Sequence, residues 1–181
     1  KERLFLKNAQ LLTTKPMIYL CNISESDMEN EKYKQNKHYQ ALLKHIPESN
    51  LIAFPVKFQS DFVGMNEEER DMMVKEFGYD NKSIQKLLKK CFDILDLQSF
   101  FTIGPKEARS WTIKKGFTAP QAAGVIHSDF ERGFIRAETI SYDDYIKYNG
   151  EHGVKNAGRM RVEGKEYVVE DGDVMHFLFN V

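Results

Sequence analysis

The sequence predicts two small mixed segments in series, an α/β segment over residues 1–98 and an α+β segment over residues 99–181. Three observations predict this. Residues 17–21 and 51–56 are apolar runs on either side of a stretch with helical spacing, so strand, helix and strand follow as in a parallel crossover. Residues 118–138 place a capped helix, a polar turn and a strand in one run. Short strands around tight turns then follow, and a helix laid across a small mixed sheet is the economical arrangement.

Composition narrows the classes of function. With 26 basic and 27 acidic residues the formal charge is −1, so no strong overall field draws the chain to nucleic acid or an anionic membrane. DNA and membrane are therefore not expected as partners, and any basic surface must be local. Cys21 closes an apolar run and Cys91 lies on the apolar face of a helix, which suits reduced thiols and a cytoplasmic setting. No apolar run approaches the roughly 20 residues needed to span a bilayer. The opening Lys-Glu-Arg-Leu-Phe-Leu is helix-like and lacks an initiator Met, as expected of a chain that starts inside a larger protein.

In the first segment, residues 17–21 read as a strand of the kind buried in parallel sheets. Tyr39, Leu42, Leu43 and Ile46 recur at helical spacing and Pro47 stops that helix. Residues 51–56 form the second strand. Asn66 caps a helix over 66–77 with Glu69 three residues on, and Ile84, Leu87, Leu88, Cys91 and Leu95 mark another.

In the second segment, Thr118 caps a helix whose first turn suits Pro120. Ala119, Ala122, Ala123 and Ile126 give that helix a small apolar face for close packing on a sheet. Gly133 releases the chain into a strand over 134–140. Residues 158–162, 167–169 and 174–179 read as further strands, with turns at Glu163-Gly164 and Asp171-Gly172. The expected core joins Phe101, Ile103, Ile135, Phe177 and Phe179.

Few residues carry chemistry on spacing alone. Asn22-Ile-Ser-Glu25 follows directly from the first strand, where ligands bind in open α/β sheets. The same tetrapeptide also fits plain helix capping, with Ser26 and Glu29 as a capping box. His127-Ser-Asp129 sits too close in sequence to converge as a hydrolytic triad and reads as a turn. His38, His45, His152 and His176 show no metal-ligand spacing. Lys114, Lys115, Arg132, Arg136, Arg159 and Arg161 could form a phosphate-binding patch beside Trp111 or Phe117, although interspersed acids favour a solvated mixed surface. A phosphate-binding loop of the G-x-x-x-x-G-K-[ST] type is absent from the sequence.

Taken together, Phe100-Phe101-Thr102, Gly104-Pro105, Trp111-Thr112, Ala119-Pro-Gln-Ala-Ala-Gly124, Ile126-His127, Asp129-Phe-Glu131, Gly133-Phe-Ile135 and Asp171-Gly-Asp-Val174 closely resemble the TGS domain, a β-grasp module. The resemblance is narrowest to the TGS domain that closes the Obg-like ATPases, or YchF family. Lys-Pro-Met-Ile-Tyr-Leu followed by N-x-x-E fits the same family, which carries N-x-x-E where ordinary GTPases carry N-K-x-D. The resemblance implies a partial P-loop-type, GTPase-like α/β domain over 1–98 and a TGS β-grasp domain over 99–181.

It also implies a role for the tetrapeptide. Asn22 would bond adenine N6 and N7, Ile23 would cover the base and offer its amide, and Glu25 would hold its carboxylate back from the adenine N1 acceptor. An Asp there would instead suit the guanine donor edge. Val56-Lys57-Phe58 would form a second purine loop, though related proteins carry small residues there. The full-length protein would bind ATP, with GTP as a second nucleotide, and hydrolyse it with Mg2+ as a cytoplasmic, ribosome-associated switch. The ribosome or tRNA would be met through the TGS domain, with Lys114, Lys115, Arg132 and Arg136 as RNA contacts. Lacking the phosphate loop, this chain is expected to hold no cofactor firmly and to hydrolyse no ATP by itself. The rival reading is a stand-alone β-grasp module that binds RNA or protein without nucleotide chemistry.

Overall fold

A computed structural model describes residues 11–77 and 83–180. The chain divides into two compact units, Lys1–Ile94 and Leu95–Val181, each considered by itself below. The expected helix at the very start of the chain lies outside the described residues.

In the first unit, β1 (Tyr19–Asn22) pairs in parallel with β2 (Leu51–Phe54), and the register sets Asn22 opposite Phe54. The connection holds α1 (Glu25–Met28), a 3-10 stretch (Glu29–Gln35) and α2 (Lys37–Leu43). Asn36 starts α2 by accepting the His38 N–H at 2.9 Å, and Tyr39 buries the helix against the unit. Ser24, not Ser26, caps α1: its Oγ accepts the Asp27 N–H at 3.3 Å and donates to the Asp27 carboxylate at 2.8 Å. Because α1 begins at Glu25, the residue just before it, two positions earlier than Ser26, is the one placed to cap it.

Pro55 leads directly into α3 (Val56–Asp61). Phe58 is buried there and meets the Phe62 ring edge-on at 4.9 Å. Asn66 and Glu69 cap α4 (Glu67–Phe77) reciprocally, with both backbone-to-side-chain bonds at 2.9 Å. Next comes α5 (Ser83–Ile94). The expected burial of the first strand does not occur, since β1 alternates half-buried and exposed and Leu20 is 44% exposed. Among the described residues this sheet has only two strands, so the far edge of β1 and part of its faces lack neighbours.

The second unit is a five-stranded mixed sheet in the order β4-β3-β7-β5-β6. Its strands are β3 (Leu97–Ile103), β4 (Ala108–Lys114), β5 (Phe134–Ile140), β6 (Arg161–Glu163) and β7 (Val174–Phe179). The first and last strands, β3 and β7, run parallel at the centre, and the other pairs are antiparallel. Across one face lie α6 (Ala119–Ile126) and α7 (Ser128–Arg132). Ala119, Ala122 and Ala123 are completely buried, which brings the α6 backbone close to the sheet. Gln121 fixes the start of α6 by accepting the Thr118 N–H at 2.9 Å.

Alternation along the strands decides the core, and it differs by one residue from the expected set. Phe100, Phe134, Met175 and Phe177 fill the helix-covered face with Ile113 and Ala137. Phe101 and Ile103 point to the opposite face, where they pack with Ile140, Val154 and Val174. Ile135 is 55% exposed, because the β5–β7 register slips between Phe134 and Arg136 and leaves Ile135 as the extra residue. Phe179 is also partly exposed and stacks on Phe130 at 3.9 Å between ring centroids.

The second cluster lies beside α8 (Tyr142–Lys147) and α9 (Glu151–Asn156), helices to which the sequence reading assigned no element. Residues 167–169 do not join the sheet as a strand; Val168 makes an isolated bridge to Thr118. Geometry demands glycine at the entry to β7 and just before β5. Gly172 turns the chain into β7 at φ +88°, and a Cβ on Gly133 would run into the Asn180 carbonyl.

Candidate functional site

The parallel pairing of β1 and β2 ends both strands at the same level, and the segments that follow them, the turn into α1 and the start of α3, meet there. Asn22 is the last residue of β1, and its Oδ1 accepts the Val56 N–H at 3.3 Å across 34 positions of sequence. The Ile23 N–H continues the sheet by donating to the Phe54 carbonyl at 3.3 Å. That amide is therefore engaged within the fold and does not project toward a ligand as expected. Two sequence-predicted residues, Asn22 and Val56, are thus brought into direct contact, with Ile23 fixed between them and the sheet.

Glu25 opens α1 and is exposed. Lys57 is exposed one residue into α3, whereas Phe58 turns inward. The expected second purine loop is therefore the first turn of α3, because Pro55 starts the helix immediately after β2; Phe58 packs inward while Val56 and Lys57 stay exposed. A cleft of ≈ 600 Å³ adjoins β1 and is lined by Cys21, Asn22, Ile23, Ser24, Asp27 and Tyr39 among others. Burial pushes the Cys21 thiol and the Tyr39 hydroxyl to higher pKa, so both stay neutral near pH 7. Glu25, Val56 and Lys57 lie outside this lining.

The basic residues of the second unit do not gather in one patch. Lys114 pairs with Leu97, Phe101 with Val174 and Arg136 with Leu178. Leu97 and Leu178 lie on opposite sides of the Phe101–Val174 level, so Lys114 and Arg136 are separated by about eight residues of strand rise, roughly 26 Å. Lys115 adjoins Lys114 and donates its N–H to the Asp96 carbonyl at 2.8 Å. Arg132 forms an ion pair with Asp129 on α7, and Arg159 is exposed beyond α9.

Arg161 has a different task. It donates to the Asp173 carboxylate at 3.1 Å and to the Tyr167 hydroxyl at 3.0 Å, while Tyr167 donates to Asp173 at 2.7 Å. The Glu170 N–H adds a bond at 2.9 Å. This network was missed, and its signal was the acid immediately before β7, a position that alternation turns inward. Asp173 is 2% exposed, and its burial raises the carboxyl pKa against the lowering pull of those hydrogen bonds and of Arg161. His127-Ser-Asp129 is a helix start, with His127 Nδ1 accepting the Asp129 N–H at 3.2 Å.

Comparison with known proteins follows the same division of the chain. Residues 97–180 match the YchF-GTPase_C family, described as a protein of unknown function. The chain is 44% identical over 181 residues to the ribosome-binding ATPase YchF of Escherichia coli O157:H7, covering 100% of this chain and 49% of that protein. It is 43% identical over 181 residues to Obg-like ATPase 1 of Rattus norvegicus, covering 99% of this chain and 46% of that protein. The solved Schizosaccharomyces pombe YchF GTPase superposes with a TM-score of 0.79 at 40% identity, over 93% of this chain and 44% of that one. The chain thus spans about half the length of the curated relatives it matches.

Proposed function

We propose that this chain, which belongs to the YchF family of Obg-like ATPases, supplies the base-reading part of an ATP site in its first unit and a TGS-type β-grasp module in its second. The observation that carries the first half is the bond from Val56 N–H to Asn22 Oδ1, which ties the end of β1 to the first turn of α3, the two segments that would face a purine. The amide oxygen has a second lone pair and Nδ2 is a donor, so Asn22 still offers the acceptor and donor that adenine N6 and N7 require. Glu25 is exposed in the following turn, long enough to withdraw its carboxylate from adenine N1. The names of the relatives speak of both ATPase and GTPase; replacement of the usual Asp by Glu25 favours adenine.

Among the described residues no group of three or more His, Cys, Asp or Glu side chains could hold a metal ion, so no residue is assigned to Mg2+. Support for the second half is the strand order, in which the first and last strands of the unit lie parallel at the centre and a helix crosses one face. Ribosome binding, named for the relatives, would use this chain in the cytoplasm. Of the expected RNA contacts we retain Arg132 with Arg136, because Lys114 and Lys115 lie roughly 26 Å away along the strands.

In a protein carrying both halves, Asn22→Ala should weaken ATP and GTP alike, by about tenfold, the worth of one to two hydrogen bonds. Glu25→Asp should narrow the gap between them. Calorimetry with each nucleotide reads both effects, and unchanged affinities together with an unchanged ratio would remove these residues from the site.

A further inference from the structure

The two edges of the five-stranded sheet are unequal. One edge, β6, is three residues long, a length that offers little to a passing strand. The other, β4, runs seven residues, contains no Pro and pairs with β3 in unbroken register. Among the described residues nothing pairs with its outer side.

Two bonds fix which amides face outward. Lys115 N–H donates to the Asp96 carbonyl and Gly104 N–H to the Glu107 carbonyl. Antiparallel ladders alternate, so Glu107, Arg109, Trp111 and Ile113 turn their backbone groups toward β3. Ala108, Ser110, Thr112 and Lys114 turn theirs outward. The outward set is matched on β3, where Ser99 and Phe101 direct their backbone groups away from β4 and toward the β7 side.

The charge along this edge is one-sided. Lys106, Arg109, Lys114 and Lys115 meet a single acid, Glu107, between residues 106 and 115. Arg109 stacks its guanidinium 4.1 Å from the centre of the Trp111 ring. Trp111 is itself held by a bond from Nε1 to Thr102 Oγ1 at 2.8 Å. None of Lys106, Arg109 and Lys114 has an ion pair with a described residue.

We propose that the outer edge of β4 accepts, by strand addition, an extended acidic segment of a protein partner. Its backbone would pair with the groups of Ser110, Thr112 and Lys114, as in other sheet-edge recognition. Acidic side chains at alternate positions would share one face of the added strand and meet Arg109 and Lys115 on the Trp111 side. Basic edge residues repel like-charged strands and a second copy of this same edge, so the charge pattern selects the occupant.

Trp111 is the chain's one tryptophan and reports on this edge. The probe is a peptide about as long as β4 that alternates Val and Glu, added to the 181-residue chain at low salt. It should shift Trp111 emission saturably and slow amide exchange at Ser110 and Thr112, binding about tenfold tighter than the Val/Gln peptide. Thr112→Pro removes one outward N–H and no β3 bond, and should abolish the effect while the fold survives. If that variant unfolds, methylating the peptide's amides removes the same bonds from the other side. Binding that persists with methylated peptide or with Thr112→Pro would overturn strand addition. So would absence of peptide binding, or a preference for single-stranded RNA that ignores Thr112→Pro.

Discussion

The two units use apolar sequence in different ways. In the second, apolar clusters cover both faces of the sheet's central strands, and Phe100, Ala119, Ala122, Ala123 and Ala137 are fully buried. In the first, β1 is equally apolar in sequence, yet Leu20 and the preceding Met17 are 44% and 51% exposed. The difference shows that burial belongs to the set of neighbours around a strand rather than to the strand. A unit that closes its own core can stand alone, whereas a two-stranded sheet is marginal by itself.

Separating the units should have the largest effect. Residues 95–181 should melt cooperatively and give dispersed amide resonances, while residues 1–94 alone should show neither. A cooperative melt of the first unit would erase the contrast.

Within the 181-residue chain, Phe177→Ala should cost about 3–5 kcal/mol by opening a cavity against Phe100 and Phe134. Leu20→Ala should cost within about 0.5 kcal/mol, as at an exposed site. Urea midpoints compare them directly, and similar losses would mean that β1 is as closely packed as β7.

Burial also gives the second unit a pH signature. The carboxyl of Asp173 has a raised pKa when folded, so the unfolded chain loses that proton first as pH rises. The stability this group contributes is therefore complete below the unfolded pKa and falls as pH climbs through the folded one. Asp173→Asn should flatten that slope in urea midpoints followed from acid to neutral pH. At neutral pH, Asp173→Ala should cost about 1–3 kcal/mol by leaving the Tyr167 hydroxyl and Glu170 amide without their acceptor.

Much of this was legible where a local rule decides the outcome. The strands over 134–140 and 174–179, the Asn66–Glu69 box and the Thr118 start of α6 follow from alternation and capping, which act over a few residues. The core set was misread by one position at Phe100 and Phe101, because either phenylalanine satisfies the pattern and only the covering helix chooses between them. The bulge at Ile135 and the link from Arg161 to the buried Asp173 were hidden for the same reason: pairing partners fix them. The helices over 142–156 left a faint signal in Ser141 and Asp144, now seen as a capping bond of 3.2 Å. For the candidate site, Asn22 and Val56 could be proposed from strand ends, but their bond depends on the register of β1 against β2.

A local change of capping sharpens the contrast from the other side. Asn66→Ala should cost α4 about 1 kcal/mol of capping, read as faster amide exchange at Glu69 and Arg70, with the melting of the second unit unmoved. A shift in both would couple the units.

The division of labour between the units is tested most directly by titrating the 181-residue chain with millimolar ATP and following each backbone amide. Perturbations should centre on Ile23 and Val56, leave the amides of 97–180 unmoved, and vanish in Asn22→Ala. Perturbations centred on the second unit, or a titration that moves no amide near Asn22, would contradict the assignment of base recognition to the ends of β1 and β2.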